Sequence, residues 1–150
     1  MKIVKLIIFF IIHAGVLGCA NTNRSSYTAE VNLISYETGA ITVKSVGYGN
    51  NRINAIADAQ KNAFQVILFR GLPNNSPIVE NEGVAKVKSR DYFYRFFEQE
   101  YYKTFMMSST ESSNLISIRG GYKISVDIKV NTQALRKDLE QNQVVRKFGY

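Results

Sequence analysis

The chain has 150 residues, 45% of them hydrophobic and 21% charged, with a formal net charge of +7 and a single Cys and a single His. That length suits one domain with a core of useful size. One cysteine excludes an internal disulfide framework, and one histidine leaves too few ligands for a zinc site of the His/Cys type.

The chain opens with a short basic start, Lys2 and Lys5, followed by an apolar run from Leu6 to Gly18 interrupted only by His13. Those 13 residues fall short of the ~20 that a helix needs to cross a bilayer. A basic start, a short apolar centre and a small residue at the end describe a secretion signal over residues 1–18, which is removed before folding is considered. Its end, Val16-Leu17-Gly18-Cys19, resembles the lipobox of bacterial lipoproteins. In that family a small residue precedes the Cys, an aliphatic residue stands three before it, and the Cys is acylated and becomes residue one. The resemblance therefore implies a lipid on Cys19 and attachment to a membrane. Each buried CH₂ of an acyl chain contributes ~0.8 kcal/mol, so two or three chains give a lasting anchor. Ala20 follows Cys19, where retention in an inner membrane often uses Asp. By that analogy the expected location is an outer membrane, facing the periplasm.

Removing residues 1–18 leaves 132 of the 150, and the loss of Lys2 and Lys5 lowers the charge from +7 to +5. A moderately basic envelope protein suits anionic lipid headgroups or acidic glycans. No long Lys/Arg block is present, and no nucleic acid is expected as a partner. His13 leaves with the signal, so a Ser-His-Asp or Cys-His mechanism lacks its base. The segment Gly47-Tyr48-Gly49-Asn50-Asn51-Arg52 begins like a dinucleotide fingerprint, but Arg52 stands where the third Gly belongs, and no P-loop is present. No cofactor and no metal are expected.

Residues 19–27, polar and small after the Cys, read as a flexible tether. A single domain is expected over 28–142. Residues 28–38 contain Val31, Leu33 and Ile34 and suit a strand, and Gly39 a turn. The segment 40–46 alternates Ile41 and Val43 with Thr42 and Lys44 and predicts a second strand, paired with the first in a hairpin. Gly47 and Gly49 are expected to break it. Asn50 or Asn51 then caps a helix. Ala55, Ile56, Ala59, Ala63, Val66 and Ile67 follow helical spacing on its packed face, and Arg52, Asn54, Asp58, Lys61, Asn62 and Gln65 occupy the other. Gly71 suits its C-terminal cap, and Pro73 prevents continuation. The alanines at 55, 59 and 63 make a smooth ridge that lets the helix lie close on a sheet.

Residues 72–88 read as a loop, with a short strand near Ile78–Val79 or Val84–Val87. Ser89 suits the cap of a second helix, about 90–99, with Phe93, Phe96 and Phe97 on one face. A strand is expected over about 100–109, then a polar loop from Ser109 to Asn114. Tyr122, Ile124, Val126, Ile128 and Val130 alternate with Lys123, Ser125, Asp127 and Lys129, which predicts a half-buried antiparallel strand. Gly120-Gly121 marks a bulge or sharp bend before it. Asn131 or Thr132 caps a last helix carrying Ala134, Leu135 and Leu139, and residues 143–150 form a tail. The expected order is β-β-α-(α)-β-β-α. It predicts an α+β fold of two layers, a mainly antiparallel sheet covered on one face by helices.

A strand ending in Gly47-x-Gly49, a helix with Ala55, Ala59 and Ala63, a Gly after it, a strand pair and a short Leu-containing helix resemble the N-terminal domain of the flagellar ring protein FlgT and related small lipoproteins. The resemblance runs from about Ile41 to Leu139. It implies an assembly or interaction module rather than an enzyme, and no flagellar role follows from it.

Residues 92–105 hold eight aromatics: Tyr92, Phe93, Tyr94, Phe96, Phe97, Tyr101, Tyr102 and Phe105. The Phe rings suit a core. Tyr92, Tyr94 and Tyr102 are the expected outward subset, a surface that grips a partner. Lys86, Lys88 and Arg90 alternate beside it and suit an anionic partner. The leading expectation is thus a non-catalytic interaction module for another envelope component, a protein or cell-wall glycan. The alternatives are a glycan-active enzyme using Glu80 and Glu82 or Glu98 and Glu100 as an acid pair, and a structural or surface-attachment subunit. Replacing Cys19 by Ser (Cys19→Ser) is expected to release the protein from the membrane fraction and abolish acyl labelling. A variant that still pellets with membranes and resists salt extraction would refute the lipid anchor.

Overall fold

The computed structural model describes residues 29–147. The expected signal over 1–18, Cys19 and the expected tether, together with residues 148–150, lie outside the described residues. Strands β1 (Val31–Glu37) and β2 (Ala40–Gly49) form a hairpin through Gly39, whose φ of +79° needs glycine. Helix α1 (Arg52–Gln65) follows and runs on through a π-helical turn, Val66–Arg70. Next come α2 (Glu82–Lys88), α3 (Arg90–Glu98) and a 3₁₀ turn, Tyr101–Phe105. Strands β3 (Met106–Glu111), β4 (Ile116–Ile118) and β5 (Gly121–Asn131) lead to the last helix, α4 (Thr132–Gln141). The architecture is α+β, with a five-stranded sheet in the order β1-β2-β5-β3 and β4 also paired with β5. Every pairing is antiparallel.

The two central strands explain why the sheet has one covered face. In register, Ile41 lies opposite Val130, Val43 opposite Ile128, Ser45 opposite Val126 and Gly47 opposite Ile124. All of these are buried under the helices. The intervening positions point to the other face, where Thr42, Lys44, Asp127 and Lys129 stand. There Lys129 pairs with Glu37 at 2.9 Å, and Lys44 approaches Asp127 at 4.0 Å. Alternation of period two thus assigns most positions of these two strands to the core or to solvent, with Ala40 and Val46 buried on the second side.

The seat of α1 on β2 is the closest contact in the fold. Strand β2 does not break at Gly47 or Gly49, as the sequence suggested, but continues through both. The glycines are needed for space instead. A Cβ at Gly47 would fall inside the van der Waals radii of the Ala55 carbonyl and the Ala59 nitrogen, and 2.8 Å from the Ala59 Cα. At Gly49 it would lie 2.7 Å from the Asn54 carbonyl carbon. Ala55, Ala59 and Ala63 are fully buried on the facing side. The Ser45 hydroxyl donates to the Ala59 carbonyl at 2.7 Å, and the Asn62 amide donates to the Val46 carbonyl at 3.1 Å. Asp58, expected on the solvated side, accepts the Tyr48 backbone N–H at 2.9 Å. Polar groups thus fill the places where the helix comes too near for apolar side chains. Asn51 caps the helix, accepting the Asn54 N–H at 2.9 Å.

Several local expectations are corrected. Residues 84–87 are helical rather than a strand. Asn81 caps α2 by accepting the Val84 N–H, and Glu82 pairs with Lys86 one turn on. Val84 and Val87 are β-branched residues on an exposed surface, so their strand propensity has no sheet to join. The strand expected from 100 begins at Met106. Before it, Tyr102 and Phe105 use helical spacing to enter the aromatic core. The loop expected at 109–114 starts later, because β3 is an exposed edge strand whose polar side chains meet water. The bend expected at Gly120-Gly121 is a hairpin turn, with Gly120 at φ +89°, and the short strand β4 before it was not expected. The tail expected from 143 also begins with packed residues, since Val144 and Val145 lie against the core and the Val144 N–H reaches the Leu139 carbonyl at 2.9 Å.

Gly47→Ala is expected to destabilise the domain by about 2–3 kcal/mol or more, since backbone atoms cannot yield to the added methyl. Gly83→Ala in α2, where the nearest atom to an added Cβ is 3.6 Å away, is expected to stabilise by about 0.5–1 kcal/mol. Chemical denaturation of both variants checks the contrast. Equal midpoints would mean that α1 does not rest on the β2 backbone.

Candidate binding groove

The aromatic segment forms core rather than surface, which corrects two of the expected binding tyrosines. Tyr92 is 7% exposed and Tyr102 is fully buried, whereas Tyr94 is 60% exposed. On α3 the positions 92, 93, 96 and 97 face inward together, so Tyr92 shares the Phe face and Tyr94 alone points out. Phe96 is the centre of the cluster, with ring centroids of Tyr92 at 5.7 Å, Phe64 at 5.8 Å, Phe105 at 6.1 Å and Tyr102 at 6.2 Å. The three expected cations are spread apart. Lys86 pairs with Glu82 at 2.6 Å and lies 4.9 Å from the Phe69 ring centre. Arg90 is directed to solvent beside Asp91, and Lys88 alone of the three lines a groove.

Asp138 was not expected to matter and ties three elements together. Its carboxylate accepts the Tyr92 hydroxyl at 2.7 Å and the Tyr101 hydroxyl at 2.9 Å. Arg95 lies over both rings, 5.8 Å and 5.1 Å from their centres. The signal was present in the helix period, because Asp138 adjoins the buried stripe of Leu135 and Leu139 and a carboxylate there needs donors. Burial, then the hydrogen bond to Asp138, pushes the Tyr92 hydroxyl far above its ordinary value. The bond to Asp138 comes first for Tyr101, which is also raised. Burial, then Glu100, raises Tyr102, whose hydroxyl has no hydrogen-bond partner among the described residues. None of these hydroxyls is placed to ionise as a general base near neutrality.

The largest concavity among those described lies between α2, the loop 76–81, the end of α4 and the chain after it, with a volume of about 1200 Å³. Its position follows from the end of α1. The π-helical turn and Gly71 stop the helix, and the carbonyls of Ile67 and Leu68 accept the N–H groups of Ile78 and Val79 at 3.3 and 2.8 Å. This holds the loop against the helix end, and Asn81 then starts α2. Val84, Ala85, Ile78 and Val144 give the groove an apolar lining, and Lys88, Arg136, Arg146 and Lys147 ring it with positive charge against Glu80 and Glu140. Arg136 approaches Glu140 at 4.0 Å. A smaller hollow of about 230 Å³, bordered by Tyr36, Ile41 and Gln133, adjoins it through Ser76, Ile78 and Arg136.

The carboxylates proposed as acid pairs are not brought to one cleft. Glu80 lines the groove, whereas Glu82, Glu98 and Glu100 pair with Lys86, Lys61 and Lys103. No group of His, Cys, Asp and Glu suited to a metal ion occurs among the described residues. Compared with protein-family models, characterised proteins and solved structures, the chain matches none.

The raised tyrosines set an alkaline limit on stability. An unfolded tyrosine ionises near pH 10, while Tyr92 and Tyr102 stay neutral in the fold. Their contribution is therefore complete below pH ~10 and declines above it, by up to ~1.4 kcal/mol per pH unit for each such group. Tyr92→Phe is expected to cost about 1–2 kcal/mol at neutral pH through the lost bond to Asp138 and to flatten the decline above pH ~10. Urea titrations across that range check it. A variant with the same alkaline slope as the parent would show that Tyr92 ionises freely in the fold.

Proposed function

We propose that the chain is a bacterial lipoprotein, anchored through acylated Cys19 at the periplasmic face of an outer membrane, and that its domain is a non-catalytic interaction module for another envelope protein. The groove beside α2 carries this reading. Its apolar lining and cationic rim suit an extended segment of alternating apolar and acidic side chains. Its described lining has no aromatic ring. Glycan sites commonly stack sugar rings on such side chains, so the chemistry favours a protein segment over cell-wall glycan. The resemblance to the FlgT N-terminal domain supports the same class of role, since it rests on residues that here seat α1 on the sheet and build the scaffold of the groove.

A photo-crosslinking residue placed at Val84, which is 62% exposed in the groove, tests the reading in intact cells. A discrete envelope-protein adduct is expected from position 84 and not from position 34 on β1. Replacing Lys88 and Arg146 by Glu is expected to abolish that adduct while leaving the melting temperature unchanged. Adducts of equal yield from both positions, or an adduct indifferent to the charge reversals, would exclude the groove as the binding surface.

A further inference from the structure

The strand directions divide the domain into two poles. Strand β1 begins beside β2 near its end, where the Val46 N–H donates to the Glu30 carbonyl at 3.0 Å. The described chain therefore begins, at Ala29, on the side of Gly49, the start of α1 and the β4–β5 hairpin, which is the entry pole. The 230 Å³ hollow lies at the far pole, beside Gly39 and Thr132. Three apolar side chains are exposed at the entry pole: Ile53 at 78%, Ile116 at 50% and Tyr122 at 37%. Pairing places Tyr122 opposite Gly49 and Ile116 opposite Lys123, and Ile53 stands in the first turn of α1, just after Asn50 and Asn51. Cations stand with them. Arg119, at the hairpin tip, has no acidic partner among the described residues, while Arg52 and Lys123 are paired with Glu111 and Glu30. Aliphatic and tyrosine side chains beside Arg and Lys are the mixture that partitions into a headgroup layer.

The length of the tether selects the occupant of this pole. Ten residue-to-residue steps lead from Cys19 to Ala29, and they span at most ~35 Å fully extended. As a general scale, an unstructured chain of ten residues averages ~17 Å between its ends. A domain of about 120 residues has a radius of gyration of ~13 Å and so a diameter of roughly 35 Å. Presenting the far pole to the bilayer would require the tether at nearly full extension, whereas presenting the entry pole requires only its average span. We infer that the entry pole, through Ile53, Ile116, Tyr122 and Arg119, rests on the headgroup layer of the bilayer and holds the far pole outward.

This inference rests on the proposed anchoring through Cys19, and the test separates the two. With Cys19 acylated, one added cysteine takes a fluorophore uniquely. Ile53→Cys and Ile116→Cys, and as far-side references Tyr36→Cys and Val87→Cys, are labelled in the full lipidated chain on phosphatidylethanolamine–phosphatidylglycerol vesicles containing brominated lipid. Labels at 53 and 116 are expected to lose about half or more of their fluorescence, and those at 36 and 87 little, as a headgroup-level contact requires. Equal quenching at all four positions, stronger quenching at 36 and 87, or none at 53 and 116 overturns the inference. A chain that takes label at Cys19 and does not join the vesicles refutes the anchoring itself. The same four variants, with Cys19 replaced by Ser and a polyhistidine sequence placed before it, are then held on nickel-chelating lipid, and the same comparison decides the orientation.

Discussion

Helix α1 lies against β2 so closely that backbone meets backbone, and the other layers are placed by that contact. Gly47 and Gly49 remove side chains from the strand, while Ala55 and Ala59 reduce them on the helix. Such proximity leaves little room for apolar packing at the crossing itself. Hydrogen bonds take its place, from Ser45 to the Ala59 carbonyl, from Asn62 to the Val46 carbonyl and from the Tyr48 N–H to Asp58. These bonds carry orientation as well as stability, because each fixes where along the strand the helix sits.

The large side chains of α1 emerge beyond the crossing. Phe64, Ile67 and Leu68 are buried in its second half, where the helix meets the aromatic layer of α3 and the 3₁₀ turn. The helix thus has a thin end over Gly47 and a thick end over the aromatic cluster. Asp138 joins this cluster to α4 through two tyrosine hydroxyls, so the last helix is held by polar contacts as well as by Leu135 and Leu139. The π-helical turn ends α1 with carbonyls directed at the loop 76–81. The groove is consequently a product of how α1 terminates, and its charge comes from side chains far apart in sequence, Lys88 from α2 and Arg146 from the chain beyond α4.

The same topology sets the two sides of the domain apart. The antiparallel course of β1, β2 and α1 puts the start of β1 at one pole and the end of α1 at the other. Under the proposed anchoring through Cys19, a short tether constrains the first pole and leaves the loop after α1 remote from it. For the proposed module, this separates the contact that orients the domain from the groove that receives the partner.

Period and capping residues determined much of the fold from sequence alone. The alternation in 40–46 and 122–130, the alanine spacing in 52–67, and the caps, narrowed to Asn50 or Asn51 and Asn131 or Thr132 and found at Asn51 and Asn131, specify local structure through interactions within a few residues. These local rules sufficed for an antiparallel sheet with helices on one face. The reading of Cys19 as a lipidation site rests instead on a resemblance carried by contiguous residues, and that position lies outside the described residues. The helix at 82–88 escaped the local rules because its valines are exposed and its cap depends on one asparagine. The Phe face of α3 follows from helical spacing, which also sets Tyr92 beside Phe96 and Tyr94 on the opposite side. Tertiary structure decided that Tyr102 enters the same core, because the 3₁₀ turn that directs it inward stands where a strand was expected. The groove was equally unreadable, because Ile78, Val84, Lys88 and Val144 become neighbours only when the π-helical turn has set the path of the loop. Periodicity gives the face that a residue occupies on its own element, whereas a site depends on which elements meet there, and that is fixed by packing at long range.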